Sequence, residues 1–337
     1  MKAIVIVPGK EGGKLELRDV PVPEPSPTEL LLRVKATSLN RADLYQRMGT
    51  FATQTATGGY TTRSSAGTSP IIAGLEAAGE VVGMGKDVSG FSMGDRMMGI
   101  CTGGYAEFAT LDHRLAIPVP ASLSWEEAGS IPVAYMTEHN ALITNGRLQA
   151  GEAVLVHAAS SGVGVAAIQI AKLYGAKPAM GTAGTPSKLA ALRALGMDLG
   201  INYRNESFAD AVLAATHGAG ASLIIDHVGG PYLEENLRCM AVKGRLVSVG
   251  RLGGTTAKLD LELVALKRLQ LIGVTFRTRT MDEKIAIAHG VINDLLPALA
   301  DGRLKPVIDR VFPINQATEA QTYMASNVHV GKIVLKI

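Results

Sequence analysis

The sequence predicts an α/β protein of two domains, one a β-barrel-type domain and the other a doubly wound parallel sheet. Its 337 residues are more than one hydrophobic core usually serves. Short strands interrupted by proline and glycine occupy the N-terminal third of the chain, and strand and helix patterns alternate from residue 126 onward. Such alternation is typical of a parallel sheet with helices on both faces. We therefore expect one domain from residues 1–125 and 277–337, and a second from residues 126–276.

The strands expected in the first domain are short and regularly spaced. Their sequences are KAIVIV, ELLLRVKATSLN, AGEVVGMG, GDRMMGI, YAEFATL and LAIPVP. This spacing favours a compact, barrel-like all-β unit. Residues 51–69 are rich in glycine, serine and threonine and have no periodicity. We interpret them as a surface loop of the length that often covers a binding site.

The second domain is expected to begin with a helix, WEEAGSIPVAYMTEHNAL. It continues with the strand EAVLVHAA, the helix GVAAIQIAKLYG, the strand KPAMGT and the helix PSKLAALRALG, after which LGINY, SLIIDHV, GRLVSVG and LQLIGVTF extend the series. MDEKIAIAHGVINDLLPALADG predicts one long amphipathic helix. The last 35 or so residues are strand-like, and we expect them to return to the first domain.

Composition excludes several classes of protein. The formal net charge of +3 does not require a polyanionic partner. No segment reaches the about 18 apolar residues of a membrane span, and the first apolar stretch is too short for a signal peptide. Cys101 and Cys239 are too few for a disulfide framework or a four-thiolate zinc site. We interpret both as buried apolar residues and expect a cytoplasmic protein.

The segment VLVHAASSGVGVAAIQIAKLYGAK, residues 154–177, resembles a dinucleotide-binding loop with altered glycines. Ala159, Ser161 and Gly164 stand where a G-x-G-x-x-G pattern is expected. A pyrophosphate needs exposed backbone N–H groups at a helix N terminus, and small side chains permit its close approach. The alternative is a plain tight turn between any strand and any helix. The position of the segment in a strand–turn–helix unit favours the dinucleotide loop.

The next strand and helix indicate which dinucleotide binds. Enzymes that use NAD place a carboxylate about 20 residues after the glycine loop to bind the ribose, but no Asp or Glu occurs between Ala179 and Asp198. Thr185 is the expected N-cap of a helix whose first turn contains a lysine. The residues that would bind a 2′-phosphate are Gly184, Ser187, Lys188 and Tyr203. We therefore predict NADPH, although a solvated surface charge is the alternative for Lys188.

The whole chain resembles the zinc-independent quinone oxidoreductases of the medium-chain dehydrogenase/reductase superfamily, and within them the tumour-suppressor-inducible type. The matching segments are SLNRADLYQRMG, GLEAAGEVV, GGYAEFATL, AGSIPVAYMTEHNAL, VHAASSGVG, INYRNESF, IIDHVGGPYLEENLRCMAVKGRLVSVG and VGKIVLKI. The resemblance implies a GroES-like catalytic domain and a Rossmann NADPH-binding domain. It also implies a homodimer through the strand near residues 270–276.

Zinc-dependent members of the superfamily carry a cysteine where this chain has Asn40 and a histidine where it has Leu75. Neither residue is a credible zinc ligand, so we expect no metal site. Without a Lewis acid an alcohol is not readily converted to an alkoxide, so alcohol dehydrogenation is disfavoured. Hydride transfer to an electron-poor conjugated acceptor remains.

The resemblance also implies roles for individual residues. Asn40 and Tyr45 are the predicted catalytic residues, lying beside the nicotinamide and the acceptor; the alternative is that Asn40 caps a turn and Tyr45 packs on the core. Phe51 stands where relatives often have a tyrosine, and Tyr60 is a possible replacement. The predicted cofactor-binding residues are Asn40, Thr137, Ser161, Gly162, Val163, Gly184, Ser187, Lys188, Tyr203, Val228, Gly250, Arg251, Leu252, Phe276 and Asn327. His157 and His227 fit a structural role at least as well as a ligand role.

These inferences predict an NADPH-dependent quinone oxidoreductase that transfers hydride or electrons to a small quinone. A second hypothesis keeps the fold and makes the substrate an α,β-unsaturated ketone or enoyl thioester, which requires a proton donor such as Tyr45, Tyr60 or solvent. A third, of another class, is an RNA-binding or structural protein of the zeta-crystallin kind. The chain shows no basic run with interleaved aromatic residues, which disfavours RNA binding.

Overall fold

A computed structural model describes residues 1–9, 12–48 and 71–337 of the chain. The strands are β1 (Lys2–Val7), β2 (Lys14–Asp19), β3 (Glu29–Ser38), β4 (Ile71–Ile72), β5 (Glu76–Met84), β6 (Arg96–Ile100), β7 (Phe108–Asp112), β8 (Ile117–Pro118), β9 (Val154–Val156), β10 (Ala179–Ala183), β11 (Leu199–Asn202), β12 (Ala221–Asp226), β13 (Met240–Ser248), β14 (Gln270–Gly273), β15 (Ile308–Pro313) and β16 (Lys332–Lys336).

The α-helices are α1 (Arg41–Arg47), α2 (Trp125–Gly129), α3 (Pro132–His139), α4 (Gly162–Leu173), α5 (Pro186–Ala194), α6 (Phe208–Ala215), α7 (Leu233–Cys239), α8 (Leu261–Lys267), α9 (Met281–Asp294), α10 (Leu296–Ala300) and α11 (Ala317–Ala325). A π-helical stretch, Asn140–Asn145, follows α3, and 3-10 turns lie at His113–Leu115, Gly230–Tyr232 and Ile314–Gln316. No helix of the described part is long and apolar enough to cross a membrane.

The chain forms two compact units. The first contains Met1–Met136 and Phe276–Ile337, and the second contains Thr137–Thr275. The first boundary lies eleven residues later than expected. Helix α2 belongs to the first unit because it packs closely on β3. A Cβ added at Gly129 of this helix would lie 2.8 Å from the Ala36 carbonyl oxygen of β3. Phe276, expected as the last residue of the second domain, is the first residue of the returning segment of the first unit.

The first unit is built mainly from antiparallel strands. Three strands form a sheet in the order β2-β1-β4, and a larger sheet runs β15-β16-β3-β5-β6-β8, with β7 also paired to β3. Within the larger sheet, β15 and β16 are parallel and the other pairings are antiparallel. The returning segment contributes the helix α11, which the sequence analysis missed when it took this region as strand-like. Ala317, Ala320 and Met324 face the core at helical spacing.

The second unit is a six-stranded, wholly parallel sheet in the order β11-β10-β9-β12-β13-β14. Counted within the unit, this is the order 3-2-1-4-5-6 of a Rossmann fold. The predicted α/β class, with its doubly wound parallel sheet, is confirmed. Because the order reverses between β9 and β12, the expected ligand crevice lies outside the carboxyl ends of these two strands.

Two predicted helices are interrupted by proline. The segment expected as one helix over residues 125–142 forms α2 and α3, which are separated before Pro132. The long helix expected over residues 281–302 ends at Asp294, and α10 continues it with Pro297 in its first turn. Proline has no N–H to donate and its ring obstructs the preceding turn, so each helix restarts at or near the proline.

Candidate functional site

The turn after β9 ends in an amide-rich helix N terminus. Ser161 is the N-cap of α4: its hydroxyl accepts from the N–H of Gly164 at 3.1 Å and donates to the Ala158 carbonyl at 2.8 Å. Gly162 and Val163 are the first two residues of α4, and the N–H groups in the first turn of a helix have no acceptor within that helix. The structure therefore brings Ser161, Gly162 and Val163 together at a site suited to an anion.

Steric constraints explain which small residues this turn retains. A Cβ on Gly164 would lie 2.4 Å from the Ala158 carbonyl oxygen and 2.6 Å from Ala159 Cα. Only glycine fits there, where the helix crosses the turn. Ala158 itself has φ +50°, and Ala159 is fully buried. Alanine thus replaces glycine where a methyl group is tolerated, and glycine remains where it is not.

A second set of polar groups surrounds the N terminus of α5. Thr185 caps the helix by accepting from the N–H of Lys188 at 3.4 Å, and its hydroxyl lies 3.1 Å from that of Ser187. A Cβ on Gly184 would lie 2.8 Å from the Tyr203 hydroxyl oxygen and 3.0 Å from Arg204 Nε. Four predicted residues, Gly184, Ser187, Lys188 and Tyr203, therefore lie at one strand end.

Arg204 is a cation of this cluster that the sequence analysis did not name. It follows Tyr203 directly, and its side chain turns back toward the end of β10. The signal for it was present in the segment INYRNE, where a basic residue follows the tyrosine. Between Ala179 and Met197 the chain has no carboxylate. The end of β10 thus has cationic side chains, hydroxyl groups and backbone donors around it, which suits a phosphate.

The turns after β12 and β13 are joined by backbone hydrogen bonds. The Asp226 carboxylate accepts from the N–H of Val228 at 2.7 Å, and the His227 carbonyl accepts from the N–H of Leu252 at 3.3 Å. A Cβ on Gly250 would lie 2.5 Å from the His227 carbonyl oxygen, so glycine is required. Val228, Gly250 and Leu252 are thereby held together at the carboxyl edge of the sheet. Arg251 is exposed beside them.

A chain of buried polar side chains lies beneath these turns. His157 contacts the Thr182 hydroxyl at 3.1 Å and the Asn236 side-chain oxygen at 2.7 Å, and Asn236 donates to Asp226 at 3.2 Å. Burial lowers the pKa of His157, and the Asp226 carboxylate opposes this effect. His157 therefore connects the ends of β9, β10 and β12, which supports a structural role. Thr137, in α3, is partly buried in the same unit.

In the first unit, Asn40 is bound to a buried ion pair. Lys332 Nζ lies 3.0 Å from Glu76 Oε1, and both side chains are almost fully buried. The Asn40 amide donates to Glu76 Oε1 at 2.7 Å and accepts from Lys332 Nζ at 2.7 Å. Ser38 also donates to Glu76, and the N–H of Val133 donates to the other carboxylate oxygen at 2.8 Å. The sequence analysis assigned no role to Glu76 or Lys332.

Asn40 also caps α1, with Asp43 completing the capping box. Asp43 Oδ2 accepts from the N–H of Asn40 at 2.7 Å and from the Tyr105 hydroxyl at 2.8 Å, while Oδ1 is buried without a partner. Burial raises the pKa of Asp43 to about 7. It also raises the pKa of Tyr105. Asn40 is thus the N-cap of α1, the role given in the sequence analysis as the alternative to a place in the site, and its side chain also binds the buried ion pair.

Three other predicted residues, Tyr45, Phe276 and Asn327, belong to the first unit. Tyr45 is 38% exposed on α1. Asn327 adopts φ +57° after α11 and accepts a hydrogen bond from the Arg41 guanidinium, so its side chain links the two helix ends. Phe276 is partly buried. Phe51, Tyr60 and the loop expected at 51–69 lie outside the described residues.

The residues at the zinc position do not fit a metal ion. Asn40 is bound to Lys332 and Glu76, and Leu75 has no donor atom. The ammonium group of Lys332 supplies the positive charge that the Glu76 carboxylate needs. Across residues 1–9, 12–48 and 71–337, no group of three or more His, Cys, Asp or Glu side chains could hold a metal. These residues therefore do not form a zinc site.

The fold and these strand-end groups define a two-domain protein of the dinucleotide-binding class. The chain matches the family described as alcohol dehydrogenase GroES-like domain over residues 26–121 and that described as zinc-binding dehydrogenase over residues 162–289. It belongs to the medium-chain dehydrogenase/reductase superfamily of oxidoreductases. The GroES-like assignment is confirmed.

Similar proteins fall into two groups. Quinone oxidoreductase of Rattus norvegicus is 30% identical and is matched over 97% of this chain and 94% of its own length. A phenolphthiocerol/phthiocerol polyketide synthase component of Mycobacterium tuberculosis is also 30% identical over 96% of this chain, but the match spans only 14% of that protein's length.

Solved structures of other proteins also resemble this chain over almost its whole length. A mycobacterial protein solved in complex with NADPH has a TM-score of 0.85 and 27% identity, with 100% of both chains covered. The CurK enoyl reductase has a TM-score of 0.85 and 28% identity, with 99% of this chain and 98% of that chain covered.

Proposed function

We propose that the protein is an NADPH-dependent, zinc-independent reductase of small quinones. The observation that carries the cofactor assignment is the cluster at the end of β10. There Lys188 and Arg204 add two positive charges to the hydroxyls of Ser187 and Tyr203, and the segment from Ala179 to Met197, where a ribose-binding carboxylate of an NAD enzyme is expected, contains no Asp or Glu. A 2′-phosphate carries the opposite charge and accepts from all of these donors. Similarity to a protein that binds NADPH supports the assignment.

The remaining strand-end groups would bind the rest of the cofactor. Ser161, Gly162 and Val163 would receive the pyrophosphate at the N terminus of α4. The turns that hold Val228 and Gly250 would contact the ribose and nicotinamide end. We further assign Thr137, Arg251, Leu252, Phe276 and Asn327 to the cofactor on the strength of the resemblance. The bound cofactor supplies the hydride, and the protein supplies orientation and exclusion of water.

Asn40 and Tyr45 are proposed to face the acceptor. The Asn40 side-chain NH2 donates to Glu76, and its side-chain oxygen accepts from Lys332. Asn40 therefore acts as a rigid boundary of the site rather than as a proton donor. A quinone suits such a site, since an electron-poor acceptor needs little activation. Similarity to a quinone oxidoreductase over almost the whole chain supports this acceptor class.

The first test compares cofactors and acceptors in one assay. NADPH oxidation is followed with a small quinone, and kcat/KM is compared with the value for NADH. Lys188→Ala and Arg204→Ala should each reduce kcat/KM for NADPH by about tenfold and leave the value for NADH nearly unchanged. Arg193→Ala, at the other end of α5, is the matched control and should change neither. Equal losses with both cofactors would contradict the assignment.

A second candidate is reduction of a carbon–carbon double bond conjugated to a carbonyl. The similarity to the CurK enoyl reductase and to a polyketide synthase favours it. The same assay with an enone and an enoyl thioester separates the two functions. Faster turnover of these substrates than of any quinone, with a saturated carbonyl product, would replace the quinone proposal and leave the NADPH assignment intact.

We also propose a cytoplasmic homodimer. Strand β14 is the edge of the six-stranded sheet, and Leu271 on it is 43% exposed. An open edge of this kind is a template for pairing with another strand, and the second copy of this chain is the proposed partner. Cys101 and Cys239 are both free thiols, which supports a reducing compartment. Assignment to the tumour-suppressor-inducible type is likewise a proposal, carried by the matching segments.

A further inference from the structure

The carboxyl group of Glu138 is fully buried, and neither of its oxygens has a hydrogen-bond partner among the described residues. It lies in the last turn of α3, immediately before the π-helical stretch Asn140–Asn145. Both of its oxygens are shielded from solvent and make no hydrogen bond of normal length. Among the described residues, the basic group within 4 Å of it is His227, whose Nε2 lies 3.4 Å from Oε1. Irregular π-helical turns often occur at functional sites.

His227 belongs to the turns that the proposed function assigns to the cofactor. It directly precedes Val228, its carbonyl accepts from the N–H of Leu252, and its backbone packs against Gly250. The Nε2 atom of His227 is buried and, like Glu138, has no other hydrogen-bond partner. Two unsatisfied polar groups therefore face each other directly behind the cofactor turns.

Burial favours the neutral form of both Glu138 and His227. Burial alone raises the pKa of Glu138 well above its ordinary value. Burial, with a smaller contribution from His157 after the end of β9, lowers the pKa of His227 to about 3. Along the chain, Asp226 precedes His227, and its carboxylate is bound by the N–H of Val228 and by Asn236; His139 follows Glu138 in α3. A buried carboxylate that lacks a cation is costly, whereas a carboxylic acid can donate to a neutral imidazole.

We propose that Glu138 is a positioning residue, held as a carboxylic acid that donates a hydrogen bond to His227 Nε2 and so fixes the turns that bind NADPH. The inference rests on the proposed function, because it gives these turns to the cofactor. Glu138 does not touch the reacting atoms. Its effect is to hold the His227 backbone, and with it Gly250 and Leu252, in one position. Ionisation of Glu138 at alkaline pH would place an unpaired anion behind the turns and weaken NADPH binding.

The first test uses infrared spectroscopy on the whole protein. The spectrum of Glu138→Gln is subtracted from that of the native protein at neutral pH, where a carboxylic-acid C=O band should appear. Asp43→Asn is measured alongside, so that the acid form of Asp43 is assigned separately. Carboxylate bands in place of the acid band in the Glu138 difference spectrum would overturn the proposal. This measurement needs no cofactor, so its outcome is independent of the proposed function.

The second test measures NADPH affinity as a function of pH in three variants. Glu138→Gln keeps a neutral donor and should bind like the native protein near neutral pH, without the alkaline loss. Glu138→Leu removes the donor and should bind about tenfold more weakly at every pH. Glu234→Gln, an exposed glutamate of α7, is the matched control. If Glu138→Gln binds as weakly as Glu138→Leu, or shares the native pH profile, the proposal is wrong. If the native protein binds no NADPH, the proposed function fails instead.

Discussion

Replacing Asp43 by asparagine should remove a large pH dependence of stability. Asp43 is fully buried, and its pKa is raised from 3.8 to about 7, chiefly by burial. Hydrogen bonds from the N–H of Asn40 and the hydroxyl of Tyr105 oppose this rise, as does the charge of Lys332, while the charge of Glu76 adds to it. The asparagine side-chain oxygen can accept the same two hydrogen bonds, so the variant should fold.

The sign and the size follow from proton linkage. Between the unfolded pKa of 3.8 and the folded pKa of about 7, the folded state binds more protons than the unfolded state. The free energy of unfolding therefore falls as pH rises through this interval. At about 1.4 kcal/mol per pH unit, a difference of about three units corresponds to about 4 kcal/mol, of which about 3 kcal/mol falls above about pH 5.

Urea denaturation of the native protein and Asp43→Asn between about pH 5 and about pH 8 measures this term. The difference in unfolding free energy between the two proteins should change by about 3 kcal/mol across that range, in favour of the variant at high pH. Asp87→Asn, at an exposed position, is the control and should keep the native profile. Parallel profiles for the native protein and Asp43→Asn would refute the reasoning.

Three further changes test separate parts of the account. Ser161→Leu should abolish NADPH binding, measured by calorimetry, because the leucine side chain fills the anion site. Ser161→Ala should cost only about 1 kcal/mol of stability, measured by urea unfolding, because the helix cap is lost. Lys332→Met should cost about 3–5 kcal/mol of stability by leaving Glu76 buried without a cation, and adding Glu76→Gln should restore much of it; an unchanged urea midpoint would contradict this. Leu271→Asp should shift the protein from dimer to monomer in light scattering, and an unaltered mass would exclude β14 as the interface.

The second unit could be predicted from sequence because its signals are local. Each strand of the parallel sheet is a short apolar run, and each following helix has its own cap, such as Ser161 for α4 and Thr185 for α5. The residues that lie at the strand ends could therefore be identified in advance. Arg204 was missed because the direction of its side chain, back toward Gly184, depends on how two strands pair.

The first unit was less accessible because its contacts join distant parts of the chain. Lys332 is 292 residues from Asn40 and 256 from Glu76, and no local pattern indicates that these three meet. The helix α11 did have a signal, since its buried residues recur at helical spacing, but the neighbouring strands obscured it. The division of the helix at Pro297 was readable in advance, because proline cannot continue a helix without losing a hydrogen bond.

The most direct test of the central claim is an equilibrium titration of the native protein with NADPH and with NADH. The positive cluster at the end of β10 predicts that NADPH binds at least about tenfold more tightly than NADH. Because the preference should depend on the 2′-phosphate, it should weaken as salt concentration rises. Equal affinities, or no detectable heat with NADPH, would contradict the account.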